Sequence, residues 1–305
     1  MAMTAGSAPT PEFDEVMKRT DGGHSYFGRL AGMQVVRKAP GEAWATLPYR
    51  PEFVGYADTG VLHGGVVTTL LDETCGMAVQ LALDGRTPIA TLDLRIDYQR
   101  ASTPGMELKA HAMCYSITRS IAFVRATAYE DDENNPVATA TGCFMINSTT
   151  MDAAKADLSD FQDLVSLETP DDPTSPFAVS PFARCLGIDA LEPGIAIMRF
   201  SKRIIGNAYL PAIHGGLIGA FLETAAMHKM RRQLEVVAQP KPIGLTINYL
   251  RSGRPVDTYA SVSIVRQGRR IVAFEARAWQ DDPTKPIASA YGHFMLRQVP
   301  EGEEG

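Results

Sequence analysis

Two short stretches of this chain carry residue types that can do chemistry, and they are nearly the same stretch. His63-Gly64-Gly65 is followed by Asp72, and His214-Gly215-Gly216 is followed by Glu223. In each, the acid stands nine positions after the histidine, and the copies are 151 residues apart. A glycine pair at a helix start leaves backbone N–H groups unpaired and free of side-chain cover, backed by the positive end of the helix dipole. Such donors suit an oxygen that gains negative charge, as acyl transfer requires. Gly-Gly also permits a tight turn and close packing, and that plainer use stands beside the chemical one.

The acids sharpen the choice. After the first glycine pair, Val66, Val67, Leu70, Leu71, Cys75, Ala78, Leu81 and Ala82 recur at helical spacing; after the second, Leu217, Ile218, Phe221, Leu222, Ala225, Ala226 and Met230 do so. Such broad stripes predict long, mostly buried helices. An ionised carboxylate inside one is costly unless paired or hydrogen-bonded, which marks Asp72 and Glu223 as functional acids. A helix rotated to put the acid in water, or a structural hydrogen bond, is the alternative, and Glu73 is read as such a solvated acid. Gly64 and Asp72 are eight residues apart, about 12 Å along a helix, so one carbonyl cannot easily meet both. The glycine of one copy must work with the acid of the other, across antiparallel helices, giving two composite sites in a pseudo-dimer.

The elements that position these residues repeat as well. Leu94-Arg95-Ile96-Asp97-Tyr98 aligns with Leu245-Thr246-Ile247-Asn248-Tyr249 at the same offset, and Pro136 to Met145 parallels Pro286 to Met295 at 150. A period this long is a duplicated domain. Period-2 segments predict strands at Thr91–Tyr98, Glu107–Ile117, Ile121–Tyr129 and Ala138–Ile146, then at Ile243–Leu250, Thr258–Val265, Ile271–Trp279 and Ile287–Leu296. Each half therefore reads as α+β, one buried helix wrapped by an antiparallel sheet. We expect domains at 12–150 and 178–300 joined by a linker at 151–177, helical over Met151–Leu167 and then extended, with Met1 to Pro11 disordered.

Composition excludes several classes. The 305 residues are 45% hydrophobic and 21% charged, with a net charge of −6. That is a globular balance without the basic face that nucleic acid usually needs. No apolar run is long enough for a membrane span, and no signal-peptide pattern opens the chain. Four cysteines without CxxC spacing, Cys75, Cys114, Cys143 and Cys185, suggest a reduced, cytoplasmic setting. Metal binding lacks an HExxH or a Cys/His cluster, and GxSxG and GxGxxG are missing, so no cofactor is expected. His63 and His214 are read as orienting their loops rather than as general bases.

HGG with an acid nine after the histidine, opening a buried helix ahead of antiparallel strands, resembles the hotdog-fold acyl-CoA thioesterases of the phenylacetate-pathway (PaaI-like) type. The resemblance covers both halves and implies two tandem hotdog domains. It implies Gly64 and Gly215 as polarisers of the thioester carbonyl, and Asp72 and Glu223 as nucleophile or general base, with Gly65 and Gly216 beside the substrate. The chain departs from the family at Ala57 and Ala208, where Asn or Gln is common six before the histidine. Asn207 is one position away and its counterpart is Tyr56. Thr91 fits the family's water-holding hydroxyl, and its counterpart is Pro242. One site thus combines Asn207, His214 and Gly215 with Asp72 and Thr91, and the other combines Tyr56, His63 and Gly64 with Glu223. We expect the first to be the better hydrolytic site and the second to be weak or merely to bind. An acyl-CoA-binding protein without catalysis and a hotdog hydratase or dehydratase are the competing readings. The coenzyme phosphates could meet Arg100, Arg119, Arg251 or Arg270, while Arg266, Arg269 and Arg270 also read as solvated hairpin loops. A dimer or trimer of the chain is expected.

Overall fold

The computed structural model describes residues 25–83, 87–146, 175–192, 194–206, 212–234 and 240–296. The expectations for Met1–Pro11, for a helix at Met151–Leu167 and for Asn207 lie outside them. The first half runs α1 (Tyr26–Ala31), β1 (Gln34–Ala39), β2 (Glu42–Leu47), α2 (Gly64–Ala82), β3 (Ile89–Tyr98), β4 (Leu108–Ile117), β5 (Ile121–Tyr129) and β6 (Ala138–Ile146). The second repeats this order as α3 (Pro181–Cys185), β7 (Ile188–Glu192), β8 (Ile195–Met198), α4 (Gly215–Leu234), β9 (Lys241–Tyr249), β10 (Thr258–Gln267), β11 (Ile271–Trp279) and β12 (Ala288–Met295). Both long helices begin at the first glycine of their pair. The strands at Ile121–Tyr129, Ala138–Ile146 and Ile271–Trp279 coincide with their period-2 segments.

Alternation explains how each sheet takes its helix. On β4 and β5 the inward residues Ala110, Ala112, Ala122, Val124, Ala126 and Ala128 are all buried. Small side chains on that face let α2 lie close to the sheet, and the bulk of the core comes from the helix and from Phe27, Phe53 and Phe144. No helix among the described residues is long and apolar enough to cross a membrane.

The two halves form one antiparallel sheet of 12 strands, in the order β1-β2-β4-β5-β6-β3-β9-β12-β11-β10-β8-β7. The seam is β3 against β9, where Arg95 pairs with Thr246, its own counterpart in the repeat, and the pairs Asp93–Asn248 and Asp97–Gly244 flank it symmetrically. A pseudo-two-fold axis therefore passes through the Arg95–Thr246 pair. Behind the seam α2 and α4 pack antiparallel. A Cβ on Gly65 would stand 2.6 Å from Cβ of Ala220, and one on Gly216 would stand 2.7 Å from Cα of Thr69. The second glycine of each pair thus does what close packing demands, letting each helix start nest against the other helix.

Candidate active sites between the two halves

The first glycine of each pair faces the other half's acid. From the position of a Cβ on Gly215, Asp72 Oδ2 is 3.0 Å and Thr91 Oγ1 is 3.5 Å away. At the other end, a Cβ on Gly64 would collide with Oε1 of Glu223. The structure thus brings Gly215 and Gly216 together with Asp72 and Thr91, and Gly64 with Glu223. The amides of Gly64 and Gly215 have no hydrogen-bond acceptor among the described residues, whereas those of Gly65 and Gly216 are taken. Gly65 N–H donates to His63 Nδ1 at 2.8 Å. Gly216 N–H donates to His214 Nδ1 at 3.0 Å and, across the interface, to Asp72 Oδ2 at 2.7 Å. Each histidine caps its helix with a ring nitrogen, the role in which Ser or Asp is more usual.

Thr91 reaches Asp72 through a bulge. Leu94 and Ile96 are fully buried, so Asp93 lies on the outer face, where it accepts from Cys143 Sγ at 2.8 Å. Regular alternation would put Thr91 on that face too. The register shifts between Thr91 and Asp93, with Leu92 as the extra residue, and Thr91 Oγ1 turns inward to donate to Asp72 Oδ1 at 3.0 Å. The matching irregularity on β9 falls between the partners of Pro242 and Gly244, so the fold offers the same inward position there, but proline has no hydroxyl to fill it.

The two acids have different surroundings. Asp72 is 5% exposed and both its oxygens accept hydrogen bonds. Burial raises its pKa above the ordinary carboxylate value, while His214, Thr91 and the Gly216 amide oppose the rise. Glu223 is 1% exposed, and burial pushes its pKa up to about 7, against one hydrogen bond from Tyr98. Tyr98 Oη donates to Glu223 Oε2 at 2.8 Å and lies 2.9 Å from Thr68 Oγ1, while Glu223 Oε1 has no hydrogen-bond partner among the described residues. Its equivalent, Tyr249, bonds the carbonyl of Gly215 at 2.9 Å and leaves Asp72 alone. The extra methylene of glutamate carries its carboxyl up against Gly64. The shorter aspartate stands farther back, its Oδ2 3.0 Å from where a Cβ on Gly215 would be.

Glu73 requires a correction. It is not a solvated neighbour: its side chain is 7% exposed. Its oxygens accept from Ser25 N–H at 3.0 Å and Ser25 Oγ at 2.7 Å, and Oε2 lies 3.5 Å from His214 Nε2. A Cβ on Gly28 would meet its carboxylate at 2.5 Å, so a glycine there makes the room. Its counterpart is Thr224, whose hydroxyl lies 3.3 Å from His63 Nε2. His63 is held neutral, its pKa lowered to about 3 by burial. Burial also works against a charge on His214, but Glu73 and Asp72 outweigh it and its pKa is raised. A signal existed in the sequence, since position ten after the histidine is charged in one copy and not in the other.

The remaining candidates divide. Tyr56 is buried with the Arg231 guanidinium 4.8 Å over its ring, and with His63, Phe177, Thr224 and His228 it lines a shallow cleft beside the Glu223 site. Arg100 is engaged by Glu130 at 2.8 Å and Arg251 by the Pro286 carbonyl at 2.7 Å, so both serve loops. Arg119 and Arg270 sit exposed in equivalent hairpin turns, and their guanidinium groups make no ion pair among the described residues.

Helices wrapped by one shared sheet, with acid and amide donated by opposite halves, define a double-hotdog architecture. Residues 59–137 match the model of the thioesterase superfamily, and residues 207–295 match that of the acyl-CoA thioesterase N-terminal domain. The two matches together span more than half of the chain, which belongs to the thioesterase superfamily as a tandem of two such domains. The chain is similar to the medium/long-chain acyl-CoA thioesterase YigI of Escherichia coli K12, 27% identical over 136 residues, 40% of this chain and 86% of that protein. Its fold is similar to a structure solved as a candidate thioesterase from Novosphingobium aromaticivorans, with 12% identity and a TM-score of 0.59 over 87% of this chain and 98% of that one. It is also similar in fold to the tesB protein of Mycobacterium avium subsp. paratuberculosis, with 9% identity and a TM-score of 0.57 over 94% and 100% of the two chains.

Proposed function

We propose that this protein is an acyl-CoA thioesterase that hydrolyses its substrate chiefly at the site made by Asp72 and Gly215. The observation that carries the reading is Asp72, held by Thr91 and the Gly216 amide, placed beside the unengaged Gly215 amide at the start of α4. A thioester carbonyl oxygen placed on Gly215 N–H would gain a donor and the helix dipole as it becomes an oxyanion. Both oxygens of Asp72 already hold a hydrogen bond, which favours Asp72 as base toward a water over direct attack. Thr91 donates to Asp72, and its remaining lone pairs are free to hold that water. Asp72 takes one proton as the water oxygen bonds to the carbonyl carbon; the C–S bond then breaks and Asp72 returns that proton to the leaving sulfur, releasing a carboxylic acid and coenzyme A. A carboxyl raised by burial is the stronger base for this step.

Glu223 supports a lesser role. Its carboxyl packs on Gly64, is held by Tyr98 and has no counterpart to Thr91, an arrangement suited to binding more than to turnover. Arg119 and Arg270 are the proposed phosphate contacts. The domain limits 12–150 and 178–300 with a linker at 151–177, a cytoplasmic setting and a homo-oligomer of two or three chains belong to the same proposal. YigI's named substrates make medium- and long-chain acyl-CoAs the first to assay, alongside short and aryl ones. Release of free thiol from any of them supports the reading, and tight binding without thiol release favours the non-catalytic alternative.

A further inference from the structure

In the Asp72 site a second carboxylate stands behind the histidine. Ser25, the N-cap of α1, gives Glu73 two hydrogen bonds, and Glu73 in turn faces His214 Nε2. The opposite nitrogen, Nδ1, accepts from Gly216 N–H and lies 3.4 Å from Asp72 Oδ2. A neutral imidazole carries one N–H, so a ring accepting at Nδ1 must donate at Nε2, and Glu73 is the acceptor placed for it. In the Glu223 site the same nitrogen of His63 meets, among the described residues, Thr224 Oγ1, which already donates to the Ala220 carbonyl at 2.7 Å.

We propose that Glu73 is a positioning residue that dedicates the Asp72 site to hydrolysis, fixing His214 with Nδ1 toward Gly216 and Asp72 and balancing a proton on that ring. This rests on the thioesterase reading for its consequence, though not for its geometry. Among the described residues, the titratable groups that face His214 are Asp72 and Glu73, both from α2. Asp72 is faced by His214, Glu73, Cys75 and Tyr249. With a proton on Nδ1, the ring no longer accepts from the Gly216 amide, which keeps its bond to Asp72, and the ring's charge faces Asp72 Oδ2 at 3.4 Å and Glu73 Oε2 at 3.5 Å. Among the described residues His63 has no ion pair with a carboxylate to balance a proton.

The test compares the native protein with Glu73→Gln, reading His214 by ring-nitrogen NMR and activity by thiol release across pH. His214 is expected to titrate above the ordinary histidine midpoint in the native protein and below it in the variant. Losing a charged His214 removes the largest influence that lowers the Asp72 pKa, and this outweighs the loss of repulsion from Glu73. The acid limb of kcat/KM should move to higher pH, with kcat down about tenfold and KM within about twofold. An unchanged His214 titration, or a lower Tm with an unmoved pH profile, overturns the proposal. Because the NMR titration needs no turnover, a chain that releases no thiol sinks the thioesterase reading alone. Should Glu73→Gln fail to fold, Thr224→Glu is the second arm: it should lift the His63 titration into the measurable range, and a silent His63 overturns the proposal.

Discussion

The Gly216 amide of one half donates to Asp72 Oδ2 of the other at 2.7 Å. That bond ties the start of α4 to the middle of α2 and fixes the acid against the amide that would receive the oxyanion.

If Asp72 is the working base, Asp72→Asn should lower kcat by two to four orders of magnitude with KM little changed, the range expected for loss of a general base. Glu223→Gln should stay within about threefold of the native rate. Separate thiol-release assays decide, and equal losses would remove the asymmetry.

Thr91 acts through its hydrogen bond to Asp72 and its hold on the water, so Thr91→Val should cost roughly 1–3 kcal/mol of transition-state stabilisation, about five- to 150-fold in kcat/KM. Far-UV circular dichroism should be unchanged. An active Thr91→Val protein would place the water elsewhere.

Glu223 makes a prediction about stability. Its folded pKa of about 7 lies above the ordinary value of 4.5, so the folded state binds its proton more tightly than the unfolded chain. The stability it contributes is fully present below about pH 4.5 and is lost as pH rises through about 7. The difference is about 3 kcal/mol, at 1.36 kcal/mol per pK unit. Denaturant melts from pH 4 to 8 should show native stability falling relative to Glu223→Gln over that window. Parallel curves would mean that Glu223 is not protonated in the fold.

Gly216→Ala places a methyl 2.7 Å from backbone Cα of Thr69, an atom that cannot swing away. A loss of about 1–3 kcal/mol is expected, the usual cost of overpacking, measured as a drop in Tm. A Gly216→Ala protein as stable as the native one would show that the helices can part freely.

Much of this was legible in the residues. The duplication, the helix starts at Gly64 and Gly215 and most strands followed from repeats and periodicity, which are properties of neighbouring residues. The cross-pairing of acids and glycines followed from the rise of a helix. Glu73 did not: the repeat shows only that position ten after the histidine is charged in one copy, while its environment comes from Ser25 and His214, 48 and 141 positions away. Thr91 was placed by resemblance alone. Its inward turn depends on a one-residue bulge that alternation argues against. Among the arginines, composition could not separate those spent on loops from those left at hairpin tips.

The Arg95–Thr246 pair at the seam has a consequence for inheritance. In a dimer of identical chains, the two residues facing each other on the axis are copies of one codon, and every substitution strikes both sites together. Here the facing residues are an arginine and a threonine, free to change one at a time. Fusion into one sheet keeps the partners at fixed stoichiometry while removing the requirement that they match. One site could then shed its hydroxyl and lengthen its acid while the other kept working.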